Sequence, residues 1–174
     1  MRLILTDPPS GALAAVIRLH AEYYRRHWSF GLPFEAKVAA QLGEFALALP
    51  HGDARLFLAT DGAEIIGSIA IDGRIREDAR LRWFIVAEHA RGGLGRRLLD
   101  TALAFARERG LPRLTLGTFA GLDAARRLYE GAGFALTHEA PAASWGVTVT
   151  EQVFTLTFPP SPEPRRAGSA PPAA

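Results

Sequence analysis

Apolar residues recur along this chain first with the spacing of a strand and then, twice in succession, with that of a helix. Residues 2–6 alternate enough for a short strand, and Pro8-Pro9-Ser10-Gly11 stops it. From 12 to 28, Leu13, Val16/Ile17 and Tyr24 fall on one helical face with Arg18, Glu22 and Arg25 between them, which predicts an amphipathic helix. Gly31-Leu32-Pro33 breaks the chain. Phe34, Val38, Leu42, Phe45 and Leu49 then mark a second helix that ends at Pro50. The β-rich runs 55–60 and 64–72 flank Asp61-Gly62, a hairpin signal because such a turn needs positive φ.

A strand over 79–86 leads into the glycine-rich stretch Ala90-Arg91-Gly92-Gly93-Leu94-Gly95, followed by a helix over 96–109. Gly110 stands where a helix C-cap belongs, and 113–118 reads as the next strand. A strand, crossover helix and strand in that order are expected to be parallel neighbours. A helix over 121–130 and closing strands over 133–138 and 148–157 complete the pattern. Residues 1–158 are expected to form a single domain. From Pro159 on, Pro, Arg, Gly, Ser and Ala predominate, and 159–174 reads as a disordered tail with too little apolar area to order itself.

Composition narrows the chemistry. With 174 residues, 48% of them hydrophobic, the chain can build a core without staples, in keeping with its zero cysteines. No disulfide framework or cysteine nucleophile is possible, and five scattered His give no metal spacing. The 20 basic and 18 acidic residues interleave instead of forming a single-sign stripe, which argues against nucleic-acid binding. All the basic residues but Lys37 are Arg. The N-terminus lacks the apolar core of a signal peptide and no run approaches the roughly 20 residues of a membrane span, so a soluble, cytoplasmic protein is expected.

The glycine stretch is the strongest chemical signal. A Gly-rich turn that leaves a strand and opens a helix presents unpaired backbone N–H groups at a positive helix end, an anion site suited to a phosphate or pyrophosphate. Gly92, Gly93 and Gly95 carry no Cβ to hold an anion away, and Arg91, Arg96 and Arg97 add positive charge. The spacing is neither Gly-x-Gly-x-x-Gly nor that of a P-loop. A plain strand-to-helix turn is the competing reading of the same residues.

Element order decides between them. Trp83-Phe84-Ile85-Val86, then Arg91-Gly92-Gly93-Leu94-Gly95-Arg96-Arg97-Leu98-Leu99, then Ala125-Arg126-Arg127-Leu128-Tyr129-Glu130-Gly131-Ala132-Gly133-Phe134 together resemble the GNAT N-acetyltransferase superfamily. The run 121–130 with Ser144-Trp145-Gly146 is most similar to acetyltransferase halves fused to MarR-type regulators, although no winged-helix half is present. The resemblance implies an α/β (α+β) fold: a mixed, mostly antiparallel sheet flanked by helices and splayed between its fourth and fifth strands, with acetyl-CoA as cosubstrate in the opening. It also implies an amine-bearing acceptor and, by family habit, a possible homodimer, for which the closing strand 148–157 is a candidate pairing edge. A non-catalytic acyl-CoA-binding sensory module is the alternative function.

Site residues follow from the resemblance one by one. Phe84, Ile85 and Val86 are expected to pair with the pantetheine amides, and Arg91, Gly92, Gly93, Leu94, Gly95 and Arg96 to grip the pyrophosphate. The family loop is usually Arg/Gln-x-x-Gly-x-Gly/Ala; if Gly93 and Gly95 are its two glycines, Ala90 takes the Arg/Gln position. Tyr129 lies where similar proteins use a phenol to protonate the departing thiolate. Leu122 replaces the Asn commonly found seven residues earlier, and Thr118 is a substitute contact at its strand end. An ammonium acceptor must lose a proton before attack, and Glu35, opening the second helix, is the first candidate base, ahead of Asp72 and Glu88. A carboxylate favoured by the helix dipole is its bland reading. Tyr24 and Phe34, on the helix pair expected to wall the acceptor pocket, join Arg82 as candidate acceptor contacts. Arg82 alternates with Trp83, so one of the two is expected to face the cleft and the other a helix layer, and an Arg82 facing the cleft would fork an acceptor carboxylate. His20, Tyr23, His27 and Trp28 either line the pocket or pack the core.

Overall fold

In the computed structural model the described residues are 2–49, 52–90 and 92–159. The elements run β1 (Arg2–Leu5), α1 (Ala12–Trp28), α2 (Leu32–Leu47), β2 (Ala54–Asp61), β3 (Glu64–Asp72), β4 (Arg80–Val86), α3 (Leu94–Glu108), β5 (Arg113–Phe119), α4 (Asp123–Gly131), β6 (Ala135–Ala142) and β7 (Val149–Thr157). The residues expected to form a disordered tail lie outside the described ones from 160 onward, as do Arg91 and His51.

Three boundaries differ from expectation for physical reasons. Helix α2 starts at Leu32, through the supposed break, because Pro33 sits in the first turn, where no intrahelical N–H is required. Helix α3 starts at Leu94, two residues early, with Gly93 (φ 87°) as its N-cap. In the β2–β3 hairpin Asp61 pairs with Glu64, so the turn residues are Gly62 and Ala63, and the positive φ (59°) falls on Gly62.

The sheet order is β1-β2-β3-β4-β5-β7-β6, antiparallel except between β4 and β5. Strands β2 and β3 are buried at nearly every successive position, the mark of a sheet covered on both faces. Phe105 of α3 packs on Phe57 of β2, whereas Phe45 of α2 packs on Trp83 of β4. Strand β7 is inserted between β5 and β6, so 148–157 is not a free edge; β6, exposed along most of its length, is the outer strand.

Two irregularities open the sheet. The parallel pair β4–β5 touches at one register point, Arg80 with Thr115, where the Thr115 N–H donates to Ala79 O at 2.9 Å. From there the two strands splay, as expected. On its other side β4 carries a bulge: the register to β3 shifts between Ser68 and Ala70, leaving Trp83 and Phe84 opposite Ile69. Trp83 has φ 46°, a conformation unfavourable for a bulky residue, and the buried Ser68 hydroxyl donates to Trp83 O at 2.7 Å.

Candidate active site

The splay leaves the β5-facing edge of β4 without a ladder partner beyond Arg80, while β3 still pairs its other edge, and β4 becomes the shared wall of two cavities. A groove of about 490 Å³ lies between β4, the start of α3 and α4. A second cavity of about 470 Å³ lies between β4, β5, α1 and α2 and is closed at one end by Trp145 from the β6–β7 connection. They have Tyr24, Phe84 and Tyr129 in common, so these three side chains stand at the boundary between them.

Four glycines, Gly92, Gly93, Gly95 and Gly121, bring main chain to the groove wall. Phe84, Ile85, Val86, Gly92, Gly93, Gly95 and Arg96 line it together, as the sequence reading expects. No side chain caps α3, and its first intrahelical bond runs from Arg97 N to Gly93 O at 3.1 Å, so the amides that precede it remain free for an anion. A Cβ on Gly95 would sit 3.2 Å from Leu128 and 3.6 Å from Phe84, so a side chain there would crowd the groove wall. Leu94 points into the core and is almost fully buried, so its backbone alone is available. Arg91 lies outside the described residues. Thr118 lines the other cavity, not the groove, because it sits on the far side of the splay on β5. Gly121 turns the chain into α4 with φ 99°, and a Cβ there would lie 2.4 Å from the Trp28 ring at the end of α1.

At that boundary Tyr129 is nearly buried among Phe84, Phe134 and Phe154, with ring centroids 6.0 to 6.1 Å away. Burial, helped by the neighbouring Tyr24 phenol, pushes its pKa far up, so the hydroxyl keeps its proton at neutral pH. Tyr24 is raised in the same way by burial and by Tyr23.

The second cavity is built from side chains. Arg82 and Trp83 both reach α2: Arg82 Nη2 donates to Gln41 Oε1 at 2.6 Å, and Trp83 packs on Phe45. The expected alternation fails here because the bulge turns two consecutive side chains to one face. The Arg82 guanidinium also stacks over the Trp83 ring at 4.2 Å, and burial lowers its pKa against the raising pull of Asp72. His20 lines the same cavity; its Nδ1 donates to Val16 O at 2.8 Å, which fixes the tautomer and leaves Nε2 as an acceptor. Burial lowers the His20 pKa to about 4, so the ring is neutral at physiological pH. Tyr24 and Phe34 are present as expected, but Glu35 is not. It is exposed and faces a separate groove between α1 and α2, because Phe34, one residue earlier, takes the inward position of the helix. Lys37, Gln41 and Trp145 escaped the sequence reading. For the first two the signal was spacing, since Phe34, Lys37 and Gln41 share one helical face.

A model of the acetyltransferase (GNAT) family matches residues 13–134. The chain belongs to this family. It is an N-acetyltransferase with acetyl-CoA as cosubstrate and an amine-bearing acceptor. Solved structures repeat the fold. Ribosomal-protein-alanine N-acetyltransferase from Brucella melitensis is 19% identical with a TM-score of 0.71, covering 90% of this chain and 99% of its own. The Salmonella typhimurium protein yncA, solved with its cofactor acetyl-CoA, is 17% identical with a TM-score of 0.68, covering 99% of both chains. The ribosomal-protein-S18-alanine N-acetyltransferase from Escherichia coli is 20% identical with a TM-score of 0.68, covering 94% of this chain and 97% of its own. No curated protein matches the sequence. Among the described residues no helix is long and apolar enough to cross a membrane, and no group of three or more His, Asp or Glu is placed to hold a metal ion.

Proposed function

We propose that this GNAT member transfers acetyl directly from acetyl-CoA to an amine where its two cavities adjoin, with Tyr129 as the general acid. The observation that carries the assignment is that the groove beside the start of α3 and the cavity beside α2 adjoin at Tyr24, Phe84 and the nearly buried Tyr129. The pyrophosphate is assigned to the free amides at the start of α3 and to Arg96, and the pantetheine amides to the unpaired edge of β4 at Phe84, Ile85 and Val86. The acceptor nitrogen enters from the second cavity and attacks the thioester carbonyl carbon. The C–S bond breaks, the thiolate takes its proton from the Tyr129 hydroxyl, and the proton that the nitrogen sheds on becoming an amide returns to the phenol through solvent.

The acceptor must arrive without its ammonium proton. The one carboxylate among the described residues lining the cavity, Asp78, is bonded to Arg80 at 2.7 Å. His20 is too weak a base to hold that proton at neutral pH but well placed to accept a hydrogen bond from the neutral amine, so the proton is assigned to solvent. Thiol release that depends on both acetyl-CoA and an amine tests the proposal. Acetyl-CoA binding with no release from any amine would favour the non-catalytic acyl-CoA-binding module, a reading supported by Leu122 in place of Asn and by the likeness of Ser144-Trp145-Gly146 to regulator-fused halves.

A further inference from the structure

Arg82 is a cation whose nearest carboxylate is already spoken for. Asp72, itself nearly buried, has both oxygens bonded to Arg74, Oδ1 to Nε and Oδ2 to Nη2, each at 2.8 Å. Burial alone would raise the Asp72 pKa, and the Arg74 contacts outweigh that and hold it below the usual carboxylate value. Arg82 is left 3.7 Å from Asp72 Oδ2, beyond hydrogen-bond reach, with the neutral Gln41 amide as its close partner. Glu44 contributes a through-space attraction that it divides between Arg74 and Arg82. A guanidinium that is largely out of water and stacked on an indole, with donors still free, is incompletely compensated.

The rest of the cavity has the same imbalance. Its charged lining is Lys37, Arg80 and Arg82 against Asp78, and Asp78 is taken by Arg80. Lys37 stands one helical turn from Gln41 on the same face of α2; its Nζ donates to a neutral carbonyl, Ser144 O, at 2.9 Å and lies 4.7 Å from the centre of the Trp145 ring. Trp145 Nε1 is the one fully buried side-chain nitrogen or oxygen without a partner among the described residues. Two cations held by neutral oxygens, one donor without a partner and a single carboxylate already taken leave a cavity suited to a ligand with anionic oxygen.

We infer that the acceptor is an amine that also carries a carboxylate, which docks on the guanidinium donors that Arg82 has left over from Gln41 while the amine faces Tyr129. This rests on the acetyltransferase reading and narrows its substrate class. A planar carboxylate matches two parallel guanidinium donors, and the rings of Tyr24, Phe34 and Trp145 suit an apolar body between the two polar ends. The amine would then enter with its acid end fixed, so Arg82 acts on specificity and not on the chemical step.

The test compares leucine with leucinamide and phenylalanine with phenylalaninamide, using the full chain, acetyl-CoA and thiol release; cadaverine and a carboxamide-ended tripeptide serve as further carboxylate-free amines. The amides lose an ammonium proton more easily, so chemistry alone favours them. The inference expects the acids to lead by about tenfold to a hundredfold in kcat/KM, the range of a charge-assisted hydrogen bond. Arg82→Gln should collapse that lead to within about twofold by raising KM for the acid, Arg82→Lys should restore part of it, and the stabilisation of both variants by acetyl-CoA should match that of the parent. The parent comparison needs no variant, so a misfolded Arg82→Gln does not shield the idea. Amides used as well as acids, or a lead that survives Arg82→Gln, overturns the carboxylate inference and leaves the acetyltransferase reading standing. Release from no amine at all overturns both.

Discussion

The two cavities on either side of Tyr129 are of nearly equal size but made of different material. The groove offers main-chain groups of β4 and the free amides of α3, supplied by two segments joined by a short loop. The acceptor cavity offers side chains from α1, α2, β4, β5 and the β6–β7 connection, so His20, Gln41, Arg82, Thr118 and Trp145 meet from across the whole sequence. A ligand common to a family can be held by backbone, which every member possesses. A ligand particular to one member has to be recognised by side chains, and these vary without disturbing the fold.

Removing the phenol at the junction should have the largest effect. Tyr129→Phe keeps the ring packed on Phe84, Phe134 and Phe154 and deletes the proton donor. Turnover should fall by about a hundredfold or more, the range of a lost general acid, while the dissociation constant for acetyl-CoA stays within about twofold. Steady-state kinetics beside a binding titration separates the two, and unchanged turnover would remove Tyr129 from the chemistry.

Next comes the turn that carries α4 and its tyrosine to that junction. Gly121→Ala forces a side chain into positive φ and against Trp28. The left-handed conformation costs about 1–2 kcal/mol and the overpacking about as much again, so a loss of roughly 3 kcal/mol is expected. Thermal unfolding reads this as a drop of about 6–12 °C. A variant as stable as the parent would mean that Trp28 moves aside without cost.

A smaller effect concerns the buried histidine of the acceptor side. Folding depresses the His20 pKa from 6.5 to about 4, so between those values the unfolded chain binds a proton that the folded one refuses. Stability is therefore full above pH 6.5 and falls as the pH drops toward 4, by about 2 kcal/mol at pH 5. His20→Asn keeps a donor for Val16 O and should lose this part of the acid sensitivity. Denaturant midpoints at pH 7.5 and pH 5 for both proteins measure the difference, and equal acid losses would dismiss the assignment.

The contrast between the cavities also explains what could be read in the sequence. Element order was legible because it depends on local pattern, on periodicity and strand-to-helix order, whereas the splay after β4 and the candidate cofactor residues were expected only through the family resemblance that the motifs carry. Arg82 was legible as a candidate, but its facing was not, since a bulge held by Ser68 from the neighbouring strand overrides the alternation. Glu35 failed because the start of α2 shifted to Leu32 and the inward position fell to Phe34. Trp145 lies in a connection whose path is set by β7 pairing between β5 and β6, an order no local signal encodes.

The smallest expected effect probes the groove itself. Leu122 stands at the N-cap position of α4 and lines the groove, where the family commonly supplies an Asn. No side chain caps that helix, whose first turn contains Asp123. Leu122→Asn adds an amide that can serve the cofactor or the helix, and it removes some apolar packing against Tyr129's neighbours. A single added hydrogen bond is worth about 1 kcal/mol, so KM for acetyl-CoA should fall by about threefold to fivefold while KM for the acceptor stays unchanged. If instead the melting temperature of the ligand-free protein rises and KM for acetyl-CoA does not move, the amide has capped α4 and not reached the cofactor. The groove would then already be complete without the family's Asn, held by β4 and the α3 amides alone, and the distinction between a backbone site and a side-chain site would be sharper still.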